Sequence, residues 1–346
     1  MTDYNERILI TGANGFIGSR VVETLLSHGF TNLRCFVRPS SDLTALNKII
    51  TLFDKARIKI VQGNLLSQDD CKRATDGISV IYHLAAGRGE KSYPDAFMNS
   101  VVTTRNLLDA ALQNSVLKRF VNISSFTVYS NSKNQRGSLL DETSEIEDHP
   151  ELRGEAYCYA KVRQEQLVME YGKKYNMPYV ILRPGAVYGP GNIGITQRVG
   201  IGTFGLFLHL GGSNIIPLSY VDNCAEAIVL AGIIKGVDNE VFNVVDDDQP
   251  TSRQFLKMYK KNVRHFKSIY LPKTISYLLC YLWEKYSKWS EGQLPPVFNR
   301  KKWASNWKGN RYSNKKLKRL LGWKQKVVFS DALEQYFKYQ KEAGNK

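Results

Sequence analysis

Ile8-Leu-Ile-Thr-Gly-Ala-Asn-Gly-Phe-Ile-Gly18 decides the fold. Ile8 to Ile10 form the continuous apolar run expected of a buried parallel strand. Gly12, Gly15 and Gly18 follow, and then a helical pattern carries Val21, Val22, Leu25 and Leu26. A strand, a glycine-rich turn and a helix present a helix N-terminus to a pyrophosphate. Gly12 permits the tight turn, Gly15 lets phosphates approach the backbone, and Gly18 lets the helix lie close to the strand. Glycine patterns alone arise by chance. Here the strand and helix contexts are both present, and an ordinary strand-to-helix turn is the rival reading.

Working outward, further strand signals stand at Leu33–Val37, Ile58–Val61, Val80–Leu84, Phe120–Ile123 and Tyr179–Leu182. Val101 to Ala111 and Ala160 to Tyr171 carry helical periodicity. This alternation predicts an α/β fold, a Rossmann-like doubly wound parallel sheet, with its ligand crevice at the carboxyl ends of the strands. After residue 185 the alternation degrades, although a helix is expected from Asn223 to Ile234 and a short strand over Val241–Val244. The division expected is a dinucleotide-binding domain over 1–185, joined by some later segments, and a smaller C-terminal substrate lobe over 186–346. The polar stretch from Ser130 to Pro150 reads as a surface loop.

The 346 residues suffice for a large core. No signal-like apolar region opens the sequence, and no run of about 20 apolar residues occurs, so neither export nor a membrane span is expected. The five cysteines (Cys35, Cys71, Cys158, Cys224, Cys280) are scattered, which suggests neither disulfides nor zinc. A cytoplasmic location is expected. Charge is uneven. Residues 1–250 hold 25 Lys+Arg and 27 Asp+Glu, net −2, whereas residues 251–346 hold 23 and 5, net +18. Such asymmetry points to an anionic partner or to a solvated basic face.

Tyr157-Cys-Tyr-Ala-Lys161 opens a helical segment. Residues four apart share a helix face, so Tyr157 and Lys161 project together. An ammonium beside a phenol stabilises phenolate and suits the tyrosine to proton transfer with an alcohol or ketone while hydride moves to or from a nicotinamide. Ser125, after the fifth strand, is placed to hydrogen-bond a substrate oxygen; its rival role is a turn or helix cap. His83 reads as structural. Asp246-Asp-Asp248 reads as a loop, and no metal is expected.

Five motifs in order now resemble a known family: Thr11-Gly-x-x-Gly-x-x-Gly18, His83-Leu-Ala-Ala86, Ser124-Ser125 with Val128-Tyr129, Tyr157-x-x-x-Lys161, and Leu182-Arg-Pro-Gly-x-Val-Tyr-Gly-Pro-Gly191. They look like the extended short-chain dehydrogenase/reductases, the NAD-dependent epimerase/dehydratase family. The likeness covers about residues 7–245 and continues weakly through Leu321-Gly-Trp323. It implies Tyr157 as general acid/base, Lys161 as holder of the nicotinamide ribose and Ser125 as orienter of the reacting oxygen. It implies Gly12, Gly15, Phe16, Ile17 and Gly18 at the pyrophosphate. Asn64 and Leu65 would lie near the adenine, Leu84, Ala85 and Ala86 near the ribose, Asn99 near the fourth strand, and Pro184 to Val187 beside the nicotinamide.

The departures from the family pattern carry information. An acid commonly ends the second strand and binds the ribose 2′-hydroxyl, but here Arg38 stands there with Ser40 and Ser41, which favours NADP over NAD. Asn64 and Asn223 each replace a common acid. Phe126-Thr127 occupies the place where sugar dehydratases of the family carry acids, so elimination of water is disfavoured. The expected activity is NAD(P)-dependent epimerisation or oxidoreduction at a carbon–oxygen centre, foremost of a nucleotide sugar or related glycan precursor. Alternatives are net NADPH-dependent reduction of a hydrophobic ketone, as in the hydroxysteroid dehydrogenase branch, and an NADP(H)-binding sensor or scaffold without turnover. Retention of Ser125, Tyr157 and Lys161 together argues for catalysis.

The substrate is expected to be anionic or lipid-linked, with Arg300, Lys301, Lys302 and Arg311 as candidate diphosphate ligands. Nucleic acid, for which Trp303 and Trp307 would be the stacking platforms, is not expected. Tyr270 to Trp289, apolar and aromatic among lysines, reads first as a core helix of the small lobe and second as a peripheral membrane contact. A homodimer through the segments Val101–Ala111 and Ala160–Tyr171 follows from the resemblance.

Overall fold

The computed structural model describes residues 4–87, 92–132, 135–192, 194–203, 205–291, 293–294 and 298–344. Seven strands build the main sheet: β1 (Ile8–Thr11), β2 (Asn32–Val37), β3 (Arg57–Gln62), β4 (Val80–His83), β5 (Arg119–Ile123), β6 (Tyr179–Pro184) and β7 (Glu240–Val244). Their spatial order is β7-β6-β5-β4-β1-β2-β3, and every pairing is parallel. This is the Rossmann-like doubly wound sheet that the alternation predicted. Strands β1, β4 and β5 are buried throughout, including their polar residues Thr11, His83, Arg119 and Asn122. β3 lies at the edge and exposes Arg57, Lys59 and Gln62, which discourages pairing with another chain.

Alternation along β1 divides the core in two. Ile8 and Ile10 pack with Val21, Val22 and Leu25 of α1 (Phe16–Ser27), whereas Leu9 packs with Leu107 and Leu108 of α2 (Thr103–Leu112) and Val168 of α3 (Ala156–Tyr175). Helix α4 (Val221–Ile233) joins the first face through Cys224, Ala227 and Ile228 and leads to β7, so these later segments return to the sheet. The sheet order reverses between the adjacent strands β1 and β4, and such a switch point opens a crevice above the carboxyl ends of the strands.

One expected helix begins later and two local expectations need correction. Of the helical segment Val101–Ala111, Val101 and Val102 belong to a wider π turn, Phe97–Val102, which follows Tyr93–Ala96 and leads into α2. The stretch 130–150 is not merely a surface loop. Ser130, Asn131 and Glu147 are buried, and Leu139–Leu140 pairs with Arg311–Tyr312; Lys133 and Asn134 of this stretch lie outside the described residues. The apolar C-terminal helix, α5 (Lys273–Trp289), is not a core helix. It buries only Ser276 and Cys280, against α6 (Arg300–Trp307), and Ser287, bonded to the Leu294 carbonyl, and turns most of its large apolar side chains outward. Among the described residues, no helix is long and apolar enough to cross a membrane.

Candidate active site

The strand ends open into one cleft of about 1070 Å³, and every residue expected to act in catalysis or to hold the dinucleotide lines it. At one end Gly12 has φ +70°, and a Cβ there would stand 3.0 Å from the Ala85 nitrogen. A Cβ on Gly18 would fall 2.0 Å from the Gly12 carbonyl oxygen, so α1 can approach the turn only as glycine. Gly15 caps α1 without a side-chain bond, and the first turn holds no acid. The N–H groups of a helix's first turn lack intrahelical partners and favour an anion. The Gly15 amide itself donates to the Gly12 carbonyl at 3.0 Å, so the amides of Phe16, Ile17 and Gly18 form the bare cradle that fits a pyrophosphate. Ser124, also on the wall, has a buried hydroxyl with no hydrogen-bond partner among the described residues. Arg38 stands exposed at the end of β2, near Asn64 and Leu65 at the end of β3. Leu84, Ala85 and Ala86 follow β4; Pro184 and Val187 follow β6. Asn99 reaches the wall from the π turn, with Thr103 one turn on.

At the centre, Tyr157 lies in the first turn of α3 and is 40% exposed to the cleft, whereas Lys161, one turn later, is buried. The Lys161 ammonium stands 6.0 Å from the centroid of the Tyr157 ring. It donates to the Ile123 carbonyl at 2.6 Å and to Gln164 Oε1 at 2.9 Å. Burial pulls its pKa down to about 8. Ser125 caps a short 3-10 turn, its Oγ accepting from the Thr127 amide, so the capping role and the cleft-facing position coexist.

A buried chain of hydrogen bonds supports this centre. Thr11 Oγ1 meets His83 Nδ1 at 2.8 Å, and His83 Nε2 meets Thr104 Oγ1 at 2.8 Å. Gln164 Nε2 donates to the same Thr104 oxygen, whose own proton goes to the Ser100 carbonyl. His83 must therefore donate from Nε2 and accept at Nδ1. Burial, reinforced by Lys161, pulls its pKa down to about 3 and keeps it neutral. His83 is thus structural: it ties the glycine turn to the helix that carries Lys161. The Arg183 guanidinium, from the Leu182-Arg-Pro-Gly segment, holds Glu165 of α3 in a buried pair at 2.7 Å and stacks over Tyr129. Cys158 is buried, and its thiol is pushed up by that burial.

The far wall contains residues that the sequence reading missed. Arg153, buried four residues before Tyr157, pairs with Glu155 at 2.8 Å and donates to the Thr127 carbonyl and to Ser305. Arg198 and Asn306 line the same end. Of the four proposed diphosphate ligands only Lys302 reaches the cleft. Arg300 pairs with Glu284, Lys301 with Glu147, and Arg311 donates to the Gly137 carbonyl. Trp303 and Trp307 are buried, their indoles bonded to Ser276 and Gln197, so neither is a stacking platform. No short sequence signal marks Arg153 or Arg198, because their position depends on loops that meet only in the fold.

A parallel sheet of this order, with a bare glycine cradle and a Tyr–Lys helix over one cleft, defines a dinucleotide-binding protein of the extended short-chain dehydrogenase/reductase type. The chain belongs to the NAD dependent epimerase/dehydratase family, whose model matches residues 8–244. It is 29% identical over 251 residues, 69% of this chain, to the trifunctional UDP-glucose 4,6-dehydratase/UDP-4-keto-6-deoxy-D-glucose 3,5-epimerase/UDP-4-keto-L-rhamnose-reductase RHM2 of Arabidopsis thaliana, of which it spans only 37%. It is 32% identical over 194 residues to the 3 beta-hydroxysteroid dehydrogenase/Delta 5-->4-isomerase of Mycobacterium tuberculosis, covering 54% of this chain and 48% of that one. Its fold matches the crystal structure of UDP-glucuronic acid 4-epimerase from Bacillus cereus in complex with UDP-glucuronic acid and NAD. There the TM-score is 0.72, the identity 23%, and the match covers 97% of this chain and 99% of that one.

Proposed function

We propose that this protein is an NAD(P)-dependent epimerase or oxidoreductase acting at a carbon–oxygen centre of a nucleotide sugar or related glycan precursor. The observation that carries this is the convergence of the glycine cradle, Ser125, Tyr157 and Lys161 on one cleft. When bound, a nicotinamide dinucleotide supplies a reversible hydride acceptor. Gly15 to Gly18 would hold its pyrophosphate, and Lys161 its ribose. Tyr157 moves the proton at the substrate oxygen. Two of the three ammonium protons of Lys161 are committed to Ile123 and Gln164, which leaves the third for a ribose hydroxyl or the phenolate. Ser125 accepts from Thr127 and so keeps its own proton for the substrate oxygen. Arg198 and Lys302 suit a diphosphate at the far wall. Elimination of water has no acid beside Ser125, where buried Phe126 and then Thr127 stand. Arg38 supports NADP over NAD, because its guanidinium suits a 2′-phosphate. The names of the similar proteins span both sugar epimerisation and steroid oxidation. The apolar wall residues Phe16, Ile195 and Leu218 give some support to the second reading, net reduction of a hydrophobic ketone. A cytoplasmic homodimer belongs to the same proposal.

The test is to purify the protein, identify any retained dinucleotide, and screen UDP-sugars and apolar ketones while following nicotinamide absorbance and the sugar products. Isomerised sugar without net absorbance change supports epimerisation. Stoichiometric consumption of dinucleotide supports a reductase. Absence of turnover with both substrate classes overturns the proposal. In the same preparation, Arg38→Ala should weaken NADPH binding by about tenfold and spare NADH; an equal loss for both would remove the NADP preference.

A further inference from the structure

Helix α5 is inside out for a globular lobe. A surface helix normally buries its apolar stripe. This one buries serines and a cysteine, and exposes Ile275, Leu278, Leu279, Leu282, Tyr286 and Trp289. At 100° per residue those six fall within one arc of about 100°. Trp289 is 76% exposed and Leu278 53%. The strand before it, Ser268–Tyr270, adds an exposed Ile269.

Charge says what covers this face. From Gln249 to Trp283 the chain has no Asp or Glu and seven Lys or Arg. Lys261, Arg264 and Lys267 are exposed on the approach to Ile269, and Lys285 and Lys288 are exposed on α5 itself. Lys288 meets Glu284 only at 3.8 Å. A second copy would set one strongly cationic lobe against another and meet like-charge repulsion. An anionic lipid surface meets both properties at once: its headgroups take the cations and its acyl boundary takes the apolar stripe, with Trp and Tyr at the depth they favour.

We propose that α5 lies in the plane of an anionic bilayer surface and docks the protein there. The 17-residue helix is too short to span the bilayer and does not need to. The cleft is one helix away. Helix α6 packs Trp303 on Ser276 of α5 and Ala304 in the same cluster, while Lys302 and Asn306 of α6 line the cleft. The docking face lies outside the cleft, so its test is independent of which reaction the cleft runs.

The test uses the purified full chain in co-sedimentation with vesicles of phosphatidylcholine alone and of phosphatidylcholine mixed with phosphatidylglycerol. The expected result is binding at least about tenfold tighter to the mixed vesicles, weakened by salt. A Leu282→Ser/Trp289→Ser double variant, whose changes touch only exposed side chains, should lose about tenfold or more of that binding with an unchanged melting temperature. The proposal is overturned if the wild-type protein stays in the supernatant with mixed vesicles at low salt, or if the double variant binds as well as wild type. It is equally overturned if sedimentation velocity shows a wild-type dimer that the double variant converts to monomer, because the face then belongs to a second copy.

Discussion

Lys161 is a cation held where burial disfavours it. The folded protein gives up that proton near pH 8, whereas the unfolded chain keeps it to about 10.4. Between those values the unfolded state binds more protons, so this residue's contribution to stability rises with pH. Relative to a Lys161→Met variant, the wild-type protein should gain up to about 3 kcal/mol across that range. Urea unfolding of both proteins at several pH values measures this, and a difference that stays flat would contradict it. Below pH 8 the buried ammonium is a cost the fold sustains. Tyr157→Phe should lower turnover by about 10²–10⁴-fold while leaving dinucleotide affinity nearly unchanged. Near-wild-type turnover in that variant would take the phenol out of the chemistry.

At the scale of elements, the glycine turn makes the sharpest prediction. Gly18→Ala would put a methyl group into the Gly12 carbonyl, backbone against backbone, with no flexible side chain to yield. We expect a loss of about 2–4 kcal/mol in thermal or urea unfolding and weaker dinucleotide binding with it; a stable variant with normal affinity would show that α1 can shift. This turn, together with β1 to β6, α1 and α3, was legible in the sequence because each depends on a local period or on a residue type with one steric use. The π turn was not legible, since Phe97–Val102 has ordinary helical composition and widens only where Asn99 and Thr103 meet the cleft. The orientation of α5 was not legible either. Periodicity shows that a helix has an apolar side, but not whether anything in the fold faces it. Arg153 and Arg198 escaped notice for a related reason: segments distant in sequence bring them to the cleft.

Across the whole molecule, one asparagine joins the last quarter of the chain to a helix packed on the main sheet. Asn223 is fully buried on α4. Its amide donates to Asp246 and to the Val327 carbonyl, and its oxygen accepts from the Lys326 and Val327 amides. Its backbone carbonyl takes the indole N–H of Trp323. The sequence showed an asparagine in place of a common acid there; the structure supplies the reason, because the site needs a donor as well as an acceptor. Asp246, pushed up to about 7 by burial, is the neighbour that a second carboxylate would face. Asn223→Asp should therefore cost about 2–4 kcal/mol, and more at pH 8 than at pH 6, where one of the two carboxyls is protonated. Denaturation at the two pH values checks it; an equal loss at both would point to packing rather than charge.

Leu317 and Leu321 of α7 (Lys315–Leu321) and Trp323 sit in the same core cluster as Ile8 and Ile10. The first strand of the sheet thus waits for a helix made after all the other strands of that sheet. A nascent chain still on the ribosome holds an incomplete core until Trp323 emerges from the exit tunnel, so chaperone demand should persist until then, and truncation before Lys315 should yield a protease-sensitive product rather than a shorter working enzyme.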